Sequence, residues 1–355
     1  MASHQRSETV EDPRQRDRRL REEKQLEHKQ DYTGPVKQFV RKHAWVPVAQ
    51  SRREIVHDEG REYLRYFTLC AEEAIDVRLF RKEKLVESDG RGYPDVVFCE
   101  HFADQYELIT ARLRRTRGFL AGFADLVLDR NSPESRNFYS TLPFDVYNLD
   151  FTGVCFPTTE PPFSKTLDAI VTLVDRLGRP PYQQGFDVFL TFRADRSSEN
   201  EDAIKQLKGH VRENERERDW FHNAFVERYE DVGRLLDSKY HEFLLLTLPK
   251  LFGSFGMDAG FRVACPYRLY YQRPNPPRPP LFYMISFILS FDWVKERRKS
   301  LQRLRSRQEI LLHAYTKLLR QLFTQDITNV NKMQFDHDLY EQEVKKLLAL
   351  GDEEF

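Results

Sequence analysis

The segment LPFDVYNLDFTG, residues 142–153, holds the first side chains whose types and spacing could do chemistry. Its alternating apolar residues predict a strand over FDVYNLD, which ends with Asn148 and Asp150 before a Thr-Gly turn. Side chains alternate along a strand, so these two lie on one face. They could cap the turn, because Asx side chains bond nearby backbone. They could also line a crevice, because ligands bind at the strand carboxyl ends of open α/β sheets.

A further carboxylate, Glu100, ends the predicted strand PDVVFCE and could share that crevice with Asn148 and Asp150. Asp95 begins the same segment, and this pair is compatible with a metal-dependent nuclease. Such a nuclease needs a Lys two residues after the Glu to stabilise the attacking hydroxide, and Phe102 stands there. The ten histidines show no H-E-x-x-H spacing, and the chain has no phosphate-binding or nucleophile-turn motif. The nuclease therefore ranks third among the functional hypotheses.

Composition places the chain among soluble proteins of a reducing compartment. It has 355 residues, with 56 basic and 56 acidic side chains, so its net charge favours neither nucleic acid nor membrane. No stretch approaches the roughly 18 apolar residues of a membrane span. The four cysteines are far apart in sequence, which predicts buried thiols and no disulfides. We therefore expect a cytoplasmic protein without a membrane segment.

Strands and helices alternate along the first half of the chain. Predicted strands cover residues 63–70, 94–100, 118–122, 144–150 and 186–194, with amphipathic helices between them, which predicts a mostly parallel sheet. Residues 197–255 contain only helical patterns. Two β-rich runs, 260–272 and 281–292, follow around the proline-rich RPNPPRPP and predict an antiparallel pair.

Three parts of the chain are predicted from these patterns. Residues 1–34 form a charged arm that cannot bury enough apolar surface to order by itself. Residues 35–292 form the α/β domain, with residues 197–255 as a helical insertion. Residues 293–355 form a helical C-terminal extension. The insertion carries an aromatic stripe, Trp220, Phe221, Phe225 and Tyr229, which is typical of helix core and less so of a base-stacking surface.

The order of these elements resembles the class I S-adenosylmethionine-dependent methyltransferase fold, a Rossmann-type α/β sheet of seven strands with an antiparallel last strand. Within that class, YFTLCAEEAID, VVFCEHF and FDVYNLDFTG are similar to the first, second and fourth strand motifs of degenerate bacterial members such as the three-Cys-motif partner family. The resemblance implies S-adenosylmethionine as cofactor. It also implies methyl transfer to a macromolecule, in a bacterial defence or DNA-modification system.

The resemblance also implies the roles of individual residues. Glu100 would bind the ribose hydroxyls of the donor, and Asp125 would accept a hydrogen bond from its adenine amino group. Asn148 and Asp150 would be the catalytic residues at the methyl acceptor.

The loop after the first strand would approach the donor through Ala71, Glu72 and Ala74. Glu72 and its neighbour Glu73 could bind the donor's amino group or complement the helix dipole.

Two features differ from the family pattern and keep a second hypothesis open. The first loop has no glycine, although a glycine allows close backbone approach to a cofactor. The segment NLDFTG lacks the two prolines of amino-methylating members. The alternative is therefore a catalytically inactive binding or assembly subunit. A protein partner would bind at residues 197–255 or at the C-terminal helices, and nucleic acid could contact the basic segment from Arg297 to Gln308.

Overall fold

The computed structural model describes residues 33–86, 95–113, 115–159, 164–272, 283–294 and 306–350. Apart from Thr33 and Gly34, the arm predicted over residues 1–34 lies outside these ranges. The described part contains one sheet, whose strands are β1 (Tyr66–Leu69), β2 (Val96–Glu100), β3 (Arg117–Leu120), β4 (Val146–Val154), β5 (Phe186–Ala194), β6 (Phe261–Gln272), β7 (Tyr283–Trp293) and β8 (Thr328–Asn329).

Helices precede, connect and follow these strands. Before β1 lie α1 (Pro35–Val40), a π-helical turn (Arg41–Trp45) and α2 (Val46–Asp58). The helices between β1 and β5 are α3 (Ile75–Lys82), α4 (Ala103–Arg112), α5 (Phe123–Leu128), α6 (Pro133–Thr141) and α7 (Lys165–Leu177). The remaining helices are α8 (Glu201–Glu217), α9 (Asp219–Tyr229), α10 (Val232–Ser238), α11 (Tyr240–Asp258), α12 (Arg307–Thr324) and α13 (His337–Ala349).

The sheet has the strand order β3-β2-β1-β4-β5-β7-β6-β8. Neighbours from β3 to β5 pair parallel, whereas β7 pairs antiparallel with both β5 and β6. The predicted α/β class, the mostly parallel sheet and the antiparallel pairing of the two C-terminal β-rich runs are confirmed. The predicted count of seven strands is wrong, because the described residues include an eighth, β8, which pairs parallel with the edge strand β6. It belongs to the C-terminal region that was predicted as helical throughout.

Both faces of the sheet are covered by helices, as the apolar strands require. One face carries Tyr66, Val146 and Phe189, and it packs against the N-terminal helices, α3 and α13. The opposite face carries Phe67, Tyr147 and Leu190, and it packs against helices from α5 to α12. All four cysteines are buried and free, as predicted. Phe221, Phe225 and Tyr229 are buried, which confirms the predicted core role of three residues of the aromatic stripe.

The N-terminal helices were not predicted, and they contain a local irregularity. The chain enters α1 at Gly34-Pro35, a favoured helix start because proline lacks an N–H that the first turn cannot use. Pro47, twelve residues after Pro35, interrupts the regular helical bonding. The residues Arg41–Trp45 before it adopt a π turn, in which the Val46 N–H donates to the Arg41 carbonyl. Within the described ranges, no helix is both long and apolar enough to cross a bilayer.

Candidate functional site

Asn148 and Asp150 lie on the face of β4 that meets the N-terminal helices. Asn148 pairs with Thr68 of β1 and Phe189 of β5, and Asp150 pairs with Thr191. The prediction that both share one face is therefore confirmed. The prediction that they end the strand is wrong, because β4 continues to Val154. The chain stays extended through an irregular register with β5 between Asp150 and Val154, where a Thr-Gly turn was expected.

Asn148 belongs to a buried hydrogen-bond network around one carboxylate. Asp76, at the start of α3, accepts through Oδ2 from the Tyr66 hydroxyl at 2.7 Å, the Thr68 hydroxyl at 2.7 Å and the Asn148 Nδ2 at 3.0 Å. Burial, together with the Asp76 charge and hydrogen bond, raises the pKa of Tyr66 well above its ordinary value. The Asn148 Oδ1 is also buried, but it has no hydrogen-bond partner among the described residues. This oxygen is the unsatisfied acceptor of the network.

Asp150 is held by a cation from α1. The Lys37 Nζ lies 2.6 Å from the Asp150 Oδ1, and it also donates to the Tyr271 hydroxyl at 3.2 Å. Lys37 and Asp150 are both buried. The Lys37 ammonium lies 4.9 Å from the ring centre of Trp45, which adds a cation–π contact. The Asp150 Oδ1 is therefore engaged in a buried ion pair.

Sequence reasoning missed both Lys37 and Asp76. The spacing of Val36, Phe39 and Val40 after Gly34-Pro35 is a helix signal that could have revealed α1. Nothing in that pattern distinguishes Lys37 from a solvated lysine.

The loop after β1 closes without glycine. Ala74 adopts a left-handed conformation, with φ of 47°, and its N–H donates to the Ala71 carbonyl at 2.9 Å. Ala74 therefore takes a conformation that glycine adopts with less strain. Glu72 forms an ion pair with Arg112 of α4 at 2.7 Å. Its carboxylate is directed to α4, so the interpretation of Glu72 as a ligand of the donor amino group has no support from this geometry.

Glu100 and Asp125 lie at the carboxyl ends of β2 and β3 and keep contact with solvent. The Glu100 Oε1 accepts from the backbone N–H of Phe102 at 2.8 Å and lies 3.1 Å from the His101 Nδ1. Asp125 is exposed in the first turn of α5. Phe102 and Leu120 are large apolar residues at the same edge, with 56% and 47% of their surface exposed. The carboxyl ends of β2 and β3 therefore carry carboxylates beside exposed apolar surface.

The strand register relates the position of Glu100 on β2 to that of Asp150 on β4. Phe98, Thr68 and Asn148 form one row across β2, β1 and β4. Glu100 and Asp150 follow two residues later on the same face, so two strand spacings, about 10 Å, separate their backbones. Ala71, Glu72 and Ala74 belong to the loop that leaves β1 between them. The predicted residues thus gather at one sheet edge, with Glu100 and Asp125 exposed in part and Asn148 and Asp150 buried.

Other possible sites lie away from this edge. A cleft of about 610 Å³ lies at the amino edge of the sheet, where Gly178, Gly260 and Trp293 contribute to its lining. Among the described residues, no group of three His, Cys, Asp or Glu side chains is arranged to hold a metal ion. The nuclease hypothesis therefore gains no metal centre from the described part of the chain.

Comparisons with known protein families, curated proteins and solved structures found no match to the chain. The geometry of the strand edge is therefore the basis for a functional assignment.

Proposed function

We propose that this chain binds S-adenosylmethionine or a related adenosyl compound at the ends of β1, β2 and β3, and that it serves as a methyltransferase-like binding or assembly subunit. The order β3-β2-β1-β4-β5-β7-β6 with antiparallel β7 supports this proposal, since it is the arrangement that the resemblance implies. In open α/β sheets, ligands bind beyond the strand carboxyl ends where the strand order reverses, here between β1 and β4.

The residues at the carboxyl ends of β1, β2 and β3 fit an adenosyl ligand. Glu100 contacts the Phe102 N–H and the adjacent His101 through its Oε1, so its Oε2 can accept from a ribose hydroxyl. Asp125 is exposed and could accept from an adenine amino group. The left-handed Ala74 allows the β1 loop to turn beside the ligand, as a glycine would. Ala71 is partly exposed and would contact the ligand, whereas Ala74 is buried and would only shape the turn; Glu72 would remain with Arg112.

A single observation favours a non-catalytic role: the buried ion pair between Lys37 and Asp150 at 2.6 Å. Removing one partner of a buried ion pair costs roughly 3–5 kcal/mol, so Asp150 is not readily released to a substrate. The second candidate is a working methyltransferase on a macromolecule. The unsatisfied Asn148 Oδ1 favours it, because a substrate amine could donate to this oxygen after α1 moves.

The wider context rests on the resemblance. A defence or DNA-modification role has no separate structural support, and residues 297–305 of the basic segment from Arg297 to Gln308 lie outside the described ranges.

Calorimetric titration with S-adenosylmethionine and S-adenosylhomocysteine tests the proposal. We expect binding by the wild type and a loss of about tenfold or more in affinity for Glu100→Ala, because hydrogen bonds to a charged group contribute about 1.5–3 kcal/mol. Glu107→Ala, at an exposed position of α4, is the matched control and should bind as the wild type does. Absence of binding at millimolar ligand, by protein whose circular dichroism is that of a folded chain, would refute an adenosyl site.

A second experiment separates the binding subunit from the enzyme. Radiolabelled methyl transfer to total nucleic acid and protein is compared for the wild type, Asp150→Asn and Lys37→Met. A binding subunit transfers no label in any of them. Transfer that Asp150→Asn abolishes would establish the working methyltransferase instead.

A further inference from the structure

A second polar cleft lies away from the strand edge, among two helices that connect β5 to β6 and one helix that follows β7. It has a volume of about 280 Å³ and is bounded by α8, α11 and α12. Leu207 and Val211 of α8 and Leu251 of α11 supply apolar wall. The volume is close to the lower end of the range for small-molecule sites, which suits a ligand of about ten non-hydrogen atoms.

The base of this cleft is rich in hydrogen-bond donors. Lys250 has only 8% of its surface exposed, and its Nζ donates to the His210 carbonyl at 3.3 Å. Asn214 donates to the same carbonyl at 2.6 Å, so one acceptor serves both side chains. The Tyr315 and Ser254 side chains also line the cleft. A lysine ammonium has three donors, so the base is short of acceptors.

Charges of both signs act on the buried Lys250. Burial lowers the pKa of Lys250 to about 8; the charge of Glu213 opposes this change, and the charge of Arg218 adds to it by a smaller amount. Burial raises the pKa of Tyr315 to about 12, whereas Arg218 acts in the opposite direction. Arg218 lines the cleft, and its charge acts on both groups. An anion between Lys250 and Arg218 would stabilise both cations.

The rim of the cleft carries acidic charge. Glu213 and Glu217 lie one turn apart on α8, and both are exposed. His210, the remaining titratable residue of the lining, lies 3.6 Å from Glu213. The cleft thus has a buried cation, Lys250, a half-buried cation, Arg218, and two exposed carboxylates.

We propose that this cleft binds a small zwitterion, an α-amino acid with an apolar side chain. Its carboxylate would lie at Lys250 and Arg218, its ammonium at Glu213 and Glu217, and its side chain against Leu207, Val211 and Leu251. Opposite charges at the two ends would match a zwitterion better than a simple anion, which the rim carboxylates would repel.

Three compounds of the same carbon skeleton but different charge test this site by calorimetry. The probes are L-leucine, 4-methylpentanoate, which lacks the ammonium, and 3-methylbutylamine, which lacks the carboxylate. L-Methionine and L-norvaline test the tolerance of the apolar wall. We expect an amino acid to bind at least about tenfold more tightly than either matched single-charge compound, since each lost charged contact contributes about 1.5–3 kcal/mol. Binding at pH 8 should also take up protons, because a nearby carboxylate favours protonated Lys250.

Two variants locate the site, one at a buried position and one at two exposed positions. Lys250→Met should abolish both the binding and the proton uptake, and Lys239→Met, at an exposed position, should change neither. Glu213→Gln with Glu217→Gln alters only exposed positions and should weaken amino-acid binding about tenfold while leaving 4-methylpentanoate unchanged or tighter. Equal binding of leucine and 4-methylpentanoate, or no binding of all three amino acids at millimolar concentration, would overturn the proposal.

Discussion

Glu199 is a buried carboxyl group whose surroundings make the stability of the protein depend on pH. It follows β5, and only 2% of its surface is exposed. Its Oε2 accepts from the Phe156 N–H at 2.9 Å, whereas its Oε1 has no hydrogen-bond partner among the described residues. Burial raises its pKa to about 8, and the Phe156 hydrogen bond opposes that rise only in part. Glu199 is therefore largely protonated in the folded protein at neutral pH.

We predict that Glu199→Gln makes the protein more stable at pH 8 than the wild type, with a difference that shrinks toward pH 5. The unfolded Glu ionises near pH 4.5, but the folded one does so only near pH 8. The wild type therefore loses stability as pH rises between these values, and the neutral Gln does not. We expect a gain of roughly 2–4 kcal/mol at pH 8, measured by urea unfolding.

Glu227→Gln, at an exposed position of α9, is the control and should leave the pH dependence unchanged. A difference between Glu199→Gln and the wild type that is equal at pH 5 and pH 8 would contradict the raised pKa.

The candidate site shows which residue-scale features a sequence can predict. The shared face of Asn148 and Asp150 follows from the two-residue period of a strand, and it was predicted. Their partners, Asp76 and Lys37, come from helices 72 and 113 positions away in sequence. No local pattern encodes such a contact, so the burial of both residues could not be predicted.

At the scale of elements, helix α11 contains a proline, and a side chain from strand β6 replaces the backbone hydrogen bond that this proline cannot make. Pro249 has no N–H to donate to the Leu245 carbonyl four residues earlier. Arg268 of β6 donates to that carbonyl at 3.4 Å and to the Gln325 carbonyl at 2.6 Å. Burial lowers the pKa of Arg268, so its cation depends on these acceptors. The guanidinium therefore links α11, β6 and the end of α12.

We predict that Arg268→Met destabilises the protein by roughly 2–4 kcal/mol, because the buried Leu245 carbonyl loses the donor from Arg268 and the Gln325 carbonyl keeps only its 3.3 Å hydrogen bond from Arg228. Pro249→Ala in that background should recover part of the loss, since the substituted alanine would supply the missing N–H to the Leu245 carbonyl. Urea unfolding of the two single variants and the double variant gives the coupling energy. Purely additive effects would show that Arg268 does not replace the proline's missing bond.

Elements with a clear period were predicted well, and those set by tertiary contacts were not. The strand expected over residues 186–194 has the bounds of β5, because a run of apolar residues ends at polar residues on its carboxyl side. The helices from residue 35 to 58 were missed, although α1 follows a Gly-Pro start. The unusual π turn depends on the nearby Pro47. The two-residue strand β8 depends on the edge that β6 offers for pairing.

At the scale of the whole molecule, the N-terminal helices are joined to the sheet at both of its edges. Lys37 of α1 binds Asp150 toward the carboxyl edge. Arg52 of α2 binds Asp187 at the amino end of β5, with contacts of 2.8 and 3.2 Å. Both ion pairs are buried. Between them, Trp45 stacks on Phe189 with ring centres 5.7 Å apart, so apolar contact and ion pairing act on the same segment.

We predict that Arg52→Met destabilises the protein by about 3–5 kcal/mol, because Asp187 would remain as an uncompensated buried charge. Burial raises the pKa of Asp187, and Arg52 is the main group that opposes this rise. Asp187→Asn in the Arg52→Met background should restore much of the loss, because the neutral amide needs no cation. Urea unfolding measures the single and the double variant, and Arg53→Met is the control, since Arg53 donates to the Glu62 carbonyl at the surface and lies over the Tyr63 ring.

The same variants show whether the two ion pairs act on one cooperative unit. If α1 and α2 move together, Arg52→Met should also increase protease cleavage between residues 33 and 58. It should also loosen the packing of α1 over Asp150. Asp150 would then become more exposed to solvent, although the substitution lies at the opposite edge of the sheet. Unchanged cleavage near Lys37, alongside the expected loss of stability, would show that the ion pairs at the two edges of the sheet act independently. The packing of α1 over Asp150 would then depend on Lys37 and its apolar neighbours alone.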